Sequence, residues 1–279
     1  MRVKNVEWWL KKLAALGAAV SVVALLILLG DLLLNGAGYI SGHFFSNFAS
    51  RFPQRAGIRA PLAGTLWLMV LTAIISFPIS VAAALYLQEY APRNRMTRTI
   101  QANVANLAGV PSIVYGILGL ALFVRALNLG ESILSGALTL SLLTMPMMIL
   151  VTQEALKRIP EEVRDAAYAL GASRWQVVRY QVLPLALPGI LSGAAHSLAR
   201  ALGETAPLVL IGAVTFIAFT PESLGDPFTA LPVQIFNWLT RPQEEFRRLA
   251  AAAILVLLAL LLGMSALGML IRTRFEGRR

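Results

Sequence analysis

Hydrophobic and polar positions in this chain fall in long blocks, not in the short periods of a strand or a half-buried helix. Six apolar runs stand out, at about 13–34, 62–87, 104–124, 133–151, 185–219 and 250–271. An α-helix needs roughly 20 apolar residues to cross the ~30 Å hydrocarbon core of a bilayer. Each run is therefore expected to be a membrane-spanning helix, and the chain an all-α membrane protein. The fifth run is long for one simple pass and is expected to be irregular near Gly203 and Pro207. The first is too long for the apolar core of a cleavable signal, and no small-x-small cleavage site follows it.

Composition agrees with the blocks. The chain has 279 residues, of which 57% are hydrophobic and 14% charged, against about 25% charged in soluble domains. With no cysteine, a disulfide framework, thiol catalysis and a Cys-metal site are excluded. A net charge of +10 would point to nucleic acid in a soluble protein. Here the charge follows the loops, so no nucleic-acid partner is expected. With six crossings and both termini inside, sixteen of the 24 Lys and Arg fall in inner segments. They are Arg2, Lys4, Lys11, Lys12, Arg93, Arg95, Arg98, Lys157, Arg158, Arg164, Arg174, Arg179, Arg272, Arg274, Arg278 and Arg279. Seven lie outside, at Arg51, Arg55, Arg59, Arg125, Arg241, Arg247 and Arg248, and Arg200 lies within a span. That bias obeys the positive-inside rule. A seventh crossing would put the C-terminal arginines outside, so the fifth run is read as one crossing. The outer loop 220–248 contains an amphipathic stretch at 231–239, with Pro232 acceptable in a first helical turn. It reads equally as an interfacial helix or as an ordinary packed loop.

The inner loop 157–184 carries the clearest local signals. Pro160 opens a helix where its missing N–H costs nothing. Glu161, Glu162 and Asp165 follow, where acidic groups favour the positive end of the helix dipole. Ala166, Ala167 and Ala169 are small enough for another surface to approach closely. Gly171 is a helix stop, and Ser173 is placed to cap a second helix near Trp175. Residue types alone leave two readings open, a docking helix or an amphipathic connector lying on the membrane.

Ionisable groups inside a span cost at least ~2.5–3.5 kcal/mol on insertion scales and are functional candidates. Arg200 and Glu204 are four apart, expected on one helix face, with His196 and Ser192 continuing the stripe. They read as an anion-binding Arg with a resting counter-ion, or as a structural ion pair. His196 taken alone reads better as a hydrogen-bonded packing residue. Asn103, Asn106, Ser112 and Tyr115 in the third run are path-lining or helix-packing groups, and Pro111 should distort that span. There is no Walker motif, Gly-rich phosphate loop or metal-ligand cluster, and the only histidines are His43 and His196. The chain is therefore expected not to hydrolyse ATP and to hold no metal or cofactor.

The run Asp165-Ala166-Ala167, three residues, Gly171, nine residues, Gln181, one residue, Leu183-Pro184 resembles the EAA loop of ABC-importer permeases. Asp165 stands for the family's Glu and Gln181 for its Ile; the other positions match. The stretches Asn106 to Gly116 and Ala199 to Pro207 resemble signatures of phosphate permeases. Leu231-Pro232, Ile235 to Trp238, Pro242 and Phe246 resemble the last outer loop of the PstA-type subunit. The similarity covers the chain from about Leu62 onward. It implies a type I ABC-importer permease fold with six spans and a cytoplasmic coupling helix, multi-pass in a bacterial-type inner membrane with both termini cytoplasmic. It implies a PstC-type permease partner, a cytoplasmic ATPase dimer that binds ATP and Mg, and an external phosphate-binding protein. It assigns Glu162, Asp165, Ala166, Ala167, Gly171 and Ala172 to ATPase coupling, and Arg200, Glu204, His196, Asn103 and Ser112 to a phosphate path. Permeases for molybdate, tungstate or sulfate would share these features. A non-transporting scaffold or sensor would not need Arg200 and Glu204 in a span. An intramembrane hydrolase lacks a nucleophile and base pair.

Overall fold

The computed structural model describes residues 2–213 and 216–276, with side chains from Trp9 onward save those of 271, 275 and 276. Arg278 and Arg279 therefore lie outside the described residues. Helices and loops make up everything described, with no strand. Five helical stretches are long and apolar enough to cross a membrane: Trp9–Tyr39, Arg59–Tyr90, Ile133–Lys157, Arg174–Leu202 and Glu244–Arg274. A sixth is a broken pair, Arg95–Ala108 and Ser112–Ala126, bent by 99°.

The elements run in order. Helix α1 (Arg2–Gly36) leads into outer-loop turns that include α2 (Gly42–Ser46). Helix α3 (Arg59–Leu85) ends in a π-helical turn, Tyr86–Tyr90. The broken pair is α4 (Arg95–Ala108) and α5 (Ser112–Gly119), and α5 continues as a π-helical stretch, Leu120–Ala126. Next come α6 (Ile133–Lys157) and the short α7 (Glu161–Ala169). Helices α8 (Arg174–Val177) and α9 (Leu183–Leu202) are joined by a π-helical turn, Val178–Val182. The chain closes with α10 (Ala206–Leu210), α11 (Leu231–Leu239) and α12 (Glu244–Glu276).

The third and fifth runs are irregular at the expected residues, Pro111 and the Gly203–Pro207 stretch, but their bounds differ from those expected. The third is not one straight helix. Gly109 ends α4, Pro111 caps α5, and the residue before a proline is steered out of the helical region. The fifth helix starts earlier than position 185 and stops well before 219. Ser173 caps Arg174 through a full capping box with Gln176. Pro184 does not break the helix, because the π-helical turn just before it absorbs the lost N–H and the ring clash. Beyond Leu202, Gly203 and Pro207 leave only the five-residue α10. The inner loop is correspondingly short, consisting of α7 and one turn.

Helix α6 is the centre of the bundle, with 56% of its most apolar window buried, whereas that of α1 has none. Its largest contact is with α3, followed by α9. This interface is full of hydroxyls; most are satisfied within their own helix, while Thr72 and Ser80 of α3 donate across to Ala137 O and Met145 O of α6 at 3.5 and 3.4 Å. Thr139, Ser141 and Thr144 donate to the carbonyls of Ser135, Ala137 and Leu140 at 2.7, 2.7 and 2.9 Å. On α3, Thr65 and Ser76 donate to Pro61 and Thr72, both at 2.7 Å. Small side chains with internal hydrogen bonds let helices approach where no water is available. Gly193 of α9 carries this furthest: a Cβ there would overlap Val151 of α6.

The loops 37–58 and 220–243 form a packed cap on one end of the bundle. Trp238 of α11 is buried between Phe44 and Phe246, and the Arg241 guanidinium sits 4.3 Å above the Phe246 ring. The stretch 231–239 is thus a helix that belongs mainly to the protein core, although Phe236 remains 56% exposed. The loop before α11 ties back to the bundle. Leu231 N donates to Thr65 Oγ1 at 2.9 Å, and Ile133 N donates to Asp226 O at 3.1 Å. The Asp226 carboxylate accepts from Glu222 N, Ser223 N and Ser223 Oγ at 2.8, 2.9 and 2.6 Å. These donors, with Ser223 Oγ first, hold its pKa below the ordinary value because they favour the charged form.

Candidate functional site

The break between α4 and α5 faces the end of α9. Helix α10 packs on α5, which sets α5 beside the last turn of α9. Between them lies a small pocket lined by Leu107, Ala108, Val110, Ser112, Tyr115, Leu143, Thr144, Met147, Ser197, Arg200 and Glu204. Its volume is about 20 Å³, room for one water and not for a tetrahedral oxyanion. The bend is pinned by Tyr115, whose hydroxyl donates to Leu107 O at 2.9 Å across the break. Ser112 opens α5, so the positive end of that helix dipole points at the pocket. Arg200 lies in the last turn of α9, where a cation is favoured by the negative end of that helix.

The sequence-predicted path residues separate here. Arg200, Glu204 and Ser112 come together in one pocket. His196 and Asn103 are exposed and do not line it. The expected Arg200–Glu204 pair on one helix face is corrected. The last helical residue is Leu202, Gly203 N donates to Arg200 O at 3.2 Å and Glu204 N to Ala201 O at 3.1 Å. Glu204 therefore sits beyond the helix end, and among the described residues it makes no ion pair with Arg200. Spacing of four residues means a shared face only while the helix lasts. Ser197 and Thr144 were not anticipated. Ser197 lies three before Arg200, the one signal that could have found it.

The coupling candidates sit on α7 and the turn after it. Pro160 is the cap of α7, one position earlier than its first helical residue. Glu162, Asp165, Ala166 and Gly171 are exposed. Ala167 and Ala172 are half-buried and pack inward against the cluster of Leu156, Val177 and Val182, so they support the turn from beneath. The turn itself is a Schellman motif. Ala172 N donates to Ala167 O at 3.1 Å and Gly171 N to Tyr168 O at 2.9 Å, with Gly171 at φ +81°. This left-handed conformation is why glycine stands there. The same turn thrusts Leu170 outward to 89% exposure, flanked by Tyr168 at 44% and Trp175 at 59%.

An ion pair that the sequence pattern did not reveal lies beneath α7. Arg164 forks onto Glu89 of the π-helical turn after α3, Nη2 to Oε1 at 2.7 Å and Nε to Oε2 at 3.3 Å. The two side chains are only 16% and 10% exposed.

A helical bundle with a broken transmembrane pair and a helix–glycine turn–helix on one end is the architecture of type I ABC-importer permeases. The solved bacterial alginate ABC transporter, in complex with alginate pentasaccharide-bound periplasmic protein, matches with a TM-score of 0.64 at 17% identity, over 95% of this chain and 93% of that one. The inward-facing MetNI methionine ABC transporter matches with a TM-score of 0.61 at 21% identity, over 78% and 94%. These likenesses show the fold. Residues 76–278 match the family described as "Binding-protein-dependent transport system inner membrane component", and the chain belongs to that family. It is a multi-pass ABC-importer permease subunit of an inner membrane, and ATP hydrolysis in this class belongs to a separate subunit. Among relatives, the "Probable ABC transporter permease protein YqgI" of Bacillus subtilis (strain 168) is 31% identical over 89% of this chain and 90% of its own length. The "Phosphate transport system permease protein PstA 1" of Mycobacterium tuberculosis (strain CDC 1551 / Oshkosh) is 35% identical over 78% and 72%. The PstA protein of Mycobacterium leprae (strain TN) is 38% identical over 76% and 69%.

Proposed function

We propose that the chain is the PstA-type transmembrane subunit of an ATP-driven phosphate importer. The observation that carries this reading is the convergence of Arg200 and the N-terminus of α5 on one polar pocket at a broken helix, in a chain whose relatives include phosphate permeases. An always-charged planar fork and a helix N-terminus are both suited to a tetrahedral oxyanion. The pocket admits no such ion as it stands, so the transport cycle must open it. Glu204, unpaired with Arg200 and half-buried, would repel an anion and act as a gate. Ser112 and Ser197 supply hydroxyls beside Arg200. His196 and Asn103 lie off this pocket and would contribute only if the opening reaches them.

The subunit would pair with a PstC-type permease, receive phosphate from an external binding protein, and couple to an ATPase dimer that holds ATP and Mg. Exposed apolar Leu170 and Trp175, beside exposed Glu162, Asp165, Ala166 and Gly171, form the face offered to that ATPase, supported by Ala167 and Ala172. Closure of the ATPase dimer would displace this face and rock the helices between outward-open and inward-open states.

The test is oxyanion uptake by vesicles holding the complete complex. Labelled phosphate should accumulate with ATP, and Arg200→Gln should abolish uptake while the complex still assembles. Uptake of molybdate, tungstate or sulfate in place of phosphate refutes the substrate. Normal phosphate uptake by Arg200→Gln refutes the role of Arg200, and loss of the assembled complex in that variant favours a structural role for it.

A further inference from the structure

The end of α3 holds the coupling helix at one point and the start of α8, just past the glycine turn, at another. At the start of α7, Arg164 makes the bidentate pair with Glu89 already described. The same guanidinium donates to three carbonyls at the end of α6 and the link to α7: Ile159 O at 2.8 Å, Leu156 O at 3.2 Å and Pro160 O at 3.4 Å. One side chain thus joins α3, α6 and α7. Past the glycine turn, the Arg174 guanidinium lies 5.2 Å above the ring of Tyr90, the next residue after Glu89 in the same π-helical turn. Arg164 of α7 and Arg174 of α8 therefore hold one five-residue piece, Tyr86–Tyr90. A π-helical insertion often marks a functional position within a helix.

The geometry has a mechanical consequence. Helix α7 touches the bundle lightly: none of its residues is fully buried, and its apolar support is limited to the edge of one cluster that includes Ala167 and Ala172. A short helix held only by such contacts would pivot or slide when pushed. A bidentate guanidinium–carboxylate pair resists rotation as well as separation, because two parallel hydrogen bonds fix the planes of both groups. Helix α3 in turn has the largest contact with α6, which contributes Leu143, Thr144 and Met147 to the Arg200 pocket. A displacement of α7 therefore reaches the pocket walls through Glu89 and α3, and through the α6 carbonyls that Arg164 holds.

We propose that Arg164 and Glu89 are positioning residues that lock the coupling helix to the end of α3, so that α7 and Tyr86–Tyr90 move as one body during the ATPase stroke. This rests on the reading of α7 as the ATPase-docking helix, but not on the identity of the substrate. The chain has no native cysteine, so a cysteine pair at exposed Ala166 of α7 and exposed Tyr86 takes spin labels at those sites alone within this chain, in a complex whose partner subunits have their cysteines replaced. In the complete complex, the 166–86 distance is expected to be narrow and the same in the nucleotide-free and ATP-trapped states. Arg164→Gln should broaden it or make it differ between states, and should raise ATP hydrolysed per phosphate imported several-fold. Arg164→Lys, which keeps charge without the fork, should fall between, and Glu89→Gln combined with Arg164→Gln should add little to either alone. A narrow, state-independent distance in Arg164→Gln overturns the proposal. So does a fall in uptake and ATP hydrolysis in proportion to the amount of assembled complex, which is what a purely structural role predicts. Crosslinking of Asp165→Cys to the ATPase tests docking separately, and the distances are informative whichever oxyanion is carried.

Discussion

Replacing Gly171 separates the two jobs proposed for the turn after α7, holding a left-handed backbone and offering a face to the ATPase. The Gly171 φ of +81° belongs to the left-handed region, which costs an L-residue about 1–2 kcal/mol. A Cβ there would meet nothing within 4 Å, so in Gly171→Ala the whole cost is backbone strain. That sum shifts the ratio of capped to uncapped turn by about 5- to 30-fold. The turn has both Schellman hydrogen bonds and the inward packing of Ala167 and Ala172 to resist the shift. Gly171→Ala is therefore expected to lower coupled uptake modestly. Gly171→Trp has the same strain and adds a large side chain on the open side of the turn, where the ATPase face is assigned. It should leave the chain in the membrane and the ATPase active, yet abolish uptake. Uptake and ATP hydrolysis measured together in vesicles, normalised to assembled complex, read both effects. If Trp and Ala lower uptake equally, only the backbone matters and Gly171 is not in the docking face. If Trp transports normally, the coupling assignment itself is refuted.

Other outcomes follow from the packing. Gly193→Val drives a side chain into Val151 of α6, an overpacking cost of about 1–3 kcal/mol. It should lower the melting temperature of the solubilised complex, whereas Ser192→Ala, on a half-buried neighbouring position, should not. At Asp226 the folded pKa is depressed, so its contribution to the 222–226 loop is present above the ordinary Asp value of 3.8 and is lost as pH falls from there through the folded value. Proteolytic cutting of that loop should rise only in this acid window, and Asp226→Asn should be cut readily at neutral pH. Early cutting of the native loop above pH 5, roughly a unit over the ordinary value, would contradict this. A cysteine at exposed Thr273 is expected to resist an impermeant thiol reagent added outside intact cells, if the C-terminus is inside as the charge bias leads one to expect. Ready labelling would refute that orientation.

Much of the architecture is legible without coordinates, because it is local. The length of an apolar run against the bilayer thickness yields the spans, since each helix satisfies its own backbone polar groups. Caps and stops act within one turn, so Ser173 and Gly171 are readable from neighbouring residues alone, whereas 231–239 reads equally as helix or loop until its packing on Phe44 and Phe246 is known. The Ala-Ala-x3-Gly register marks the helix and its glycine turn for the same reason. What the linear pattern could not settle depends on where a helix ends relative to others. Pro184 reads as a boundary, and a π-helical turn lets the helix pass through it. Arg200 and Glu204 read as one helix face, and the stop at Leu202 places Glu204 around a corner. Ala167 reads as part of an outward docking surface, and the Schellman turn directs it inward while exposing Leu170. The hydroxyls of α3 and α6 look polar in sequence and are buried, because they donate to backbone carbonyls, most within their own helix and those of Thr72 and Ser80 across to α6. The Arg164–Glu89 pair spans 75 positions of chain. No periodicity or spacing encodes such a contact; it exists only because the ends of α3 and α6 meet the start of α7.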